Sequence, residues 1–153
     1  MSSTSNPNTV FLKGEYITKE GNAGAAITPG HLVEYYLDSG VEKVRVHGTA
    51  DGPAEKSFAF EHEDVGGGID DAYAAADRTK IIYPTPGSEI YALVAASASA
   101  IVTADFLGSA GDGTVKKVTV GASTLAGSVL AVARESKDNS GGSTPVRIRI
   151  AVL

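Results

Sequence analysis

The chain of 153 residues has no cysteine, no tryptophan, one methionine and only four phenylalanines. Without cysteine, disulfides, thiol catalysis and thiolate zinc sites are excluded. No apolar run approaches the roughly 20 residues that a membrane-spanning helix needs, so no membrane partner is expected. Cations are outnumbered, with 13 Lys and Arg against 18 Asp and Glu and a formal net charge of −5. No basic stripe is available to displace counterions from phosphates, and nucleic acid is not an expected partner. The first residues carry neither a basic n-region nor an apolar h-region, so no secretory signal is read there, and synthesis in a reducing cytoplasm fits.

What is present is glycine and small aliphatic side chains. The 18 glycines suit many tight turns and argue against a helical bundle. Hydrophobic residues make up 42% of the chain and are mostly Ala and Val. A core of that kind is thin, and association with further copies would help it. The length fits one domain.

The most telling pattern occurs twice. Ile27-Thr28-Pro29-Gly30-His31-Leu32 leads to Asp38-Ser39-Gly40-Val41-Glu42-Lys43-Val44-Arg45-Val46. Val102-Thr103-Ala104-Asp105-Phe106-Leu107 leads to Asp112-Gly113-Thr114-Val115-Lys116-Lys117-Val118-Thr119-Val120. The first block is displaced by 75 positions and the second by 74, so a one-residue deletion aligns them. Each copy reads as strand, tight turn, strand. Pro29 and Gly30 mark a turn because Pro presets one central φ and Gly tolerates a positive one. Gly111, Asp112 and Gly113 mark the hairpin turn of the second copy, with Asp-Gly as the signal.

Elsewhere, residues 1–8 are polar and aperiodic, and Thr9-Val10-Phe11-Leu12 forms a short apolar segment at their end. The expected organisation is a flexible N-terminal arm, residues 1–14, and a β domain, residues 15–153. Strands are expected over 32–37, 41–47, 57–61, 80–83, 88–96 and 127–135. The last of these is apolar on both faces and therefore central. Val146, Ile148 and Ile150 alternate with Arg147 and Arg149, which places two cations on a wet face. Val44 and Val46 likewise share one face, and Lys43, Arg45 and His47 the other. Ile69 to Asp77, rich in Ala with Asp70 and Asp71 in its first turn, predicts a short helix. The expected fold is mainly β, a single-domain β-sandwich or barrel with two related hairpins and one short helix.

No chemistry is carried by these residues. Glu61-His62-Glu63-Asp64 has metal-ligating types, but adjacent residues point to opposite faces, and a solvated charged loop is the simpler reading. Asp70, Asp71 and Asp77 do not follow the spacing of a calcium loop. Gly66-Gly67-Gly68 lacks the Lys-Ser/Thr of a phosphate loop. His31 and His47 have no relay partner in a recognisable motif. No catalytic, cofactor-binding or metal-ligating residue is assigned. Tyr35 and Tyr36 are adjacent, so one faces inward and one outward. The outward ring is either an interface anchor or an ordinary surface aromatic.

Two longer stretches carry a resemblance. Gly68 to Asp77 followed by Pro84 to Leu93, and Asp105 to Val118 followed by Ala126 to Ala133 and Val146 to Ile150, resemble segments of the small capsid decoration, or cement, proteins of tailed double-stranded DNA phages. Ala26 to Val33 is similar to the opening of related decoration domains. The resemblance covers roughly residues 23–152 and carries over no catalytic residue and no cofactor. It implies a structural virion protein, made in the host cytoplasm, that binds the outer surface of the expanded head. It implies trimers at threefold and quasi-threefold positions that clamp neighbouring major capsid protein subunits, with the major capsid protein and self as partners. In that setting the arm, through Asn8, Thr9, Val10, Phe11 and Leu12, would attach to the capsid by adding a strand to an exposed sheet edge, and lattice symmetry would multiply weak contacts. A rival from another class is a carbohydrate-binding or fibre-type β module on a virion or cell surface, with Tyr35, Tyr36, Tyr83 and Tyr91 as its aromatic platform. A small β-fold hydrolase using His47 or His62 with a carboxylate is the third.

Overall fold

A computed structural model describes residues 6–153. Its strands are β1 (Phe11–Lys13), β2 (Tyr16–Asn22), β3 (Val33–Asp38), β4 (Val41–Val46), β5 (Phe58–Ala59), β6 (Arg78–Pro84), β7 (Glu89–Val94), β8 (Phe106–Ser109), β9 (Val115–Lys117), β10 (Ala131–Ala133) and β11 (Val146–Val152). Strand β2 was not expected from the sequence. Its side chains are almost all exposed, so no apolar alternation announces it.

Five strands close on themselves in the order β7-β11-β10-β8-β9, with a parallel contact returning from β9 to β7. Inward positions alternate along each strand, as a small barrel requires. Ile90, Ala92 and Val94 of β7 face Ile148, Ile150 and Val152 of β11, Ala131 and Ala133 of β10, Leu107 of β8 and Val115 of β9. Closure pairs most of the barrel's strand edges, which would otherwise template aggregation.

The closure is partial along one seam. Strand β11 covers one edge of β7 from Glu89 to Val94. On the other edge, β9 reaches only Val94 and the following residue, where Ala95 N–H donates to Val115 O at 3.0 Å. The start of that edge is filled by β1, through Phe11 opposite Ile90 and a 2.7 Å bond from Tyr91 N–H to Val10 O. Val10 is 0% exposed and belongs to the barrel core. Residues 9–13, expected within the arm of residues 1–14, thus line the domain wall. Of the expected arm, residues 1–5 lie outside the described residues.

A second sheet, β2-β6-β5, lies against the barrel and separates two cores. On β6, Ile82 faces the barrel core and Ile81 faces the other side; on β5, Phe58 and Ala59 divide in the same way. The smaller core is completed by Val33 and Val44 of the β3–β4 hairpin together with Ala23, Ile27 and Tyr73. The hairpin thus caps the sheet as an outer layer.

The expected helix over residues 69–77 is absent. Among the described residues the single helical element is a 3-10 turn at Glu63–Val65. Tyr73 is drawn into the smaller core, exchanging backbone bonds with Ile27 at 2.8 and 3.1 Å. Asp71 and Asp77 then accept the N–H groups of Gly68 and Ala74 at 2.7 and 2.8 Å. Aspartate competes with a helix by this kind of local bond, and two such turns replace it.

That turn recurs. The fourth residue accepts the N–H of the first through its side chain and returns its own N–H to the first carbonyl at Thr28–His31, Gly68–Asp71, Ala74–Asp77, Val102–Asp105 and Gly121–Thr124. The first and fourth of these open the two sequence-related hairpins. Their third residues, Gly30 and Ala104, have φ of 95° and 77°. The hairpins then diverge. β3–β4 turns on Ser39 and Gly40 alone, both at positive φ, the two-residue geometry that suits strand twist. β8–β9 turns through Ala110–Thr114, and this loop hooks onto the first hairpin: Leu32 N–H donates to Gly113 O at 2.8 Å.

Candidate functional site

Three regions gather the residues singled out from sequence. The first is the N-terminal strand. Asn8 is exposed, Thr9, Phe11 and Leu12 are half-buried, and Val10 is buried. Val10 N–H donates to Glu61 Oε2 at 3.1 Å, and the Thr9 hydroxyl donates to Glu61 Oε1. Glu61 was expected in a solvated loop; it is 5% exposed because these two donors replace its water. Its neighbours do stay outside: Glu63 and Asp64 lie 3.4 and 3.3 Å from Lys80 Nζ. His62 stacks on Tyr73. Tyr73 donates its hydroxyl to Phe60 O at 2.7 Å, and burial pushes its phenol up to about 12. Among the described residues no group of three His, Asp or Glu side chains converges on a metal-sized space.

The second region is the underside of the hairpins. Arg147 was expected on a wet face, yet its side chain is only 12% exposed. Its guanidinium donates to Ile69 O at 2.6 Å and Pro29 O at 2.9 Å, and pairs with Asp70 Oδ1 at 3.1 Å. It lies over the Tyr91 ring. The fork geometry of arginine thereby ties two loops to β11. Tyr91 itself is 6% exposed and offers no platform for a ligand. His31 closes the Thr28 turn by accepting its N–H on Nδ1 at 3.1 Å. Burial lowers its pKa, which Asp112 opposes and Arg147 reinforces. Gly30, Gly111 and Gly113 all occupy positive φ. Pro29 is buried and Asp112 exposed, and Asp112 Oδ1 accepts Thr114 N–H at 3.1 Å.

The third region is the β3–β4 hairpin and the cleft at its base. Tyr35 lies on the inward face, packed against the smaller core, with its hydroxyl donating to Glu20 O at 3.2 Å. Tyr36 lies on the opposite face beneath the Arg45 guanidinium, 4.5 Å from its ring centroid. Arg45 Nε also donates to Glu34 Oε1 at 2.8 Å. At the hairpin tip Leu37 is 72% exposed and Val41 57%. His47 was expected on the polar face; it is buried just beyond β4. Its Nε2 lies 3.1 Å from Pro53 O and its Nδ1 2.7 Å from Ser109 Oγ. Pro53 O only accepts, so Nε2 carries a proton. Ser109 is itself fully buried and receives Gly111 N–H at 3.1 Å, so this pair ties β8 to the hairpin base and leaves the serine no path to a substrate.

Glu34, Tyr35, His47, Pro53, Ala54 and Glu55 enclose a cleft of about 230 Å³. Tyr83, from β6, reaches Glu55 Oε2 with its hydroxyl at 2.9 Å. Sequence reasoning named Tyr35 and Tyr83 but neither glutamate. The two lie on separate segments, and no local spacing announces that they meet.

No protein-family model matches the chain, and no curated protein matches it. Among solved structures, the fold is similar to that of the N base of head fiber gp8.5 in bacteriophage phi29, with a TM-score of 0.59. The match covers 91% of this chain and 95% of that one, at 13% sequence identity. At that identity the likeness is one of fold.

Proposed function

We propose that this chain is a structural protein of a tailed-phage virion, carried on the outer surface of the head. The observation that supports this most is the fold likeness to a head-fiber base along nearly the full length of both chains. The sequence resemblance to decoration proteins points the same way from different evidence. On this reading the protein binds the expanded head as trimers at threefold and quasi-threefold positions and stabilises it against internal pressure, with the major capsid protein and its own copies as partners. Attachment through the N-terminal segment falls to Asn8 and the exposed parts of Phe11 and Leu12, because the Val10 side chain is committed to the core.

A second reading is favoured by the same likeness: a base module for a head fibre, whose task is to anchor rather than to clamp. The two differ in copy number and in effect. The test is co-sedimentation of purified protein with expanded and unexpanded heads, followed by heating of the decorated heads. Saturable binding to expanded heads near one copy per capsid subunit, with a raised disruption temperature, is the outcome expected for a cement protein. Sparse occupancy with no stabilisation would favour the fibre base. Binding to neither form would sink both.

A further inference from the structure

We infer that the cleft at the base of the β3–β4 hairpin receives a cationic side chain, an arginine or lysine presented by a partner protein. Two carboxylates reach it from separate segments, and each has only one oxygen engaged. Glu34 Oε1 takes Arg45 Nε, whereas Oε2 stands 3.8 Å from His47 Nε2, beyond hydrogen-bond reach. Glu55 Oε2 takes the Tyr83 hydroxyl, and among the described residues no donor meets its Oε1. No lysine or arginine lines the cleft. Arg45 compensates Glu34 from the outer face of the hairpin, which leaves Glu55 as the uncompensated charge.

The remaining walls suit the rest of such a side chain. Pro53 and Ala54 are apolar and match an aliphatic stem, and Tyr35 contributes to the wall beside them. The volume of about 230 Å³ lies below the range of roughly 300–1,000 Å³ typical of small-molecule pockets and admits one side-chain terminus. The local field agrees. The Tyr35 phenol is held above its ordinary range by burial first, then by the carboxylates of Glu42 and Glu55. Tyr83 is raised by burial and by its bond to Glu55.

This assignment rests on the head-binding reading only for the identity of the partner; the cleft's affinity for a cation stands apart from it. The experiment is an amide NMR titration of the full chain with argininamide against sodium chloride at matched ionic strength, and against galactose. Saturable shifts at Tyr35, Ala54 and Glu55 with argininamide alone are expected. Glu55→Gln, which keeps an acceptor for Tyr83, is expected to weaken that binding several-fold at an unchanged melting temperature, and Glu55→Asp to restore much of it. Equal shifts with salt, undiminished binding in Glu55→Gln, or saturation by galactose would each overturn the assignment. Head co-sedimentation of wild type and Glu55→Gln then separates the two claims. Argininamide binding without head binding leaves the cleft and removes the head as partner. Head binding without argininamide binding removes the cleft.

Discussion

The Glu61 carboxylate holds the start of β1 by accepting the backbone N–H of Val10 at 3.1 Å, 51 positions away in the chain. Its other oxygen takes the Thr9 hydroxyl. Glu61→Ala orphans a buried N–H, a loss of about 1–3 kcal/mol. The expected result is a lower urea midpoint together with faster amide exchange over residues 10–13. If exchange there stays unchanged, Glu61 is not what holds the strand.

Removal of residues 1–8 and of residues 1–14 should differ sharply. The shorter deletion spares every contact of β1. The longer one reopens the seam beside β7 and empties the Val10 site, and burial of that valine alone contributes roughly 1.5–3 kcal/mol. Thermal melts of the two forms check this. If the shorter form folds like the intact chain but fails to decorate heads, the attachment role of the outermost residues is supported independently of stability.

The paired turns at Gly30 and Ala104 predict effects of opposite sign. A Cβ at Gly30 would lie 2.7 Å from Arg147 Nη1 and 3.0 Å from Tyr91 O, at a φ of 95°. Gly30→Ala should therefore destabilise by about 1–3 kcal/mol, and it should loosen the Arg147 clamp. Ala104 already holds φ 77° with a side chain. Ala104→Gly should leave stability unchanged or raise it by up to about 1 kcal/mol, since left-handed backbone costs a non-glycine residue roughly that much. Denaturant midpoints decide both.

Acidification should weaken the fold through His31. Burial lowers its folded pKa below the ordinary 6.5, so the unfolded chain takes up the proton first. The contribution is complete above pH 6.5 and is lost as pH falls through the folded value. Geometry agrees, because Nδ1 must stay unprotonated to accept Thr28 N–H. His31→Asn keeps an acceptor for the turn and does not titrate. Melting temperatures at pH 7 and pH 5 should drop more for the wild type than for this variant; equal drops would assign the effect to carboxylates elsewhere.

Local chemistry made much of this legible. Alternation located β11, and Pro29-Gly30 and Asp112-Gly113 marked turns that the structure contains. Strand β2 was invisible because its residues are exposed on both faces. The Ala-rich segment over residues 69–77 read as a helix because its propensity is helical; Tyr73, burying itself beside Ile27, overrode it. Alternation placed Arg147 and His47 on wet faces, and both were covered by loops that come from elsewhere in the chain.

The amino-acid sequence by itself determined a cysteine-free, glycine-rich β protein with two related hairpins, because turn chemistry and side-chain period act over a few residues. Tertiary structure alone decided that the barrel closes with an incomplete seam, that the N-terminal strand fills it, and that Glu34 and Glu55 face one cleft. Those relationships join positions tens of residues apart. They follow from how layers stack to bury two cores, and no window of sequence encodes that.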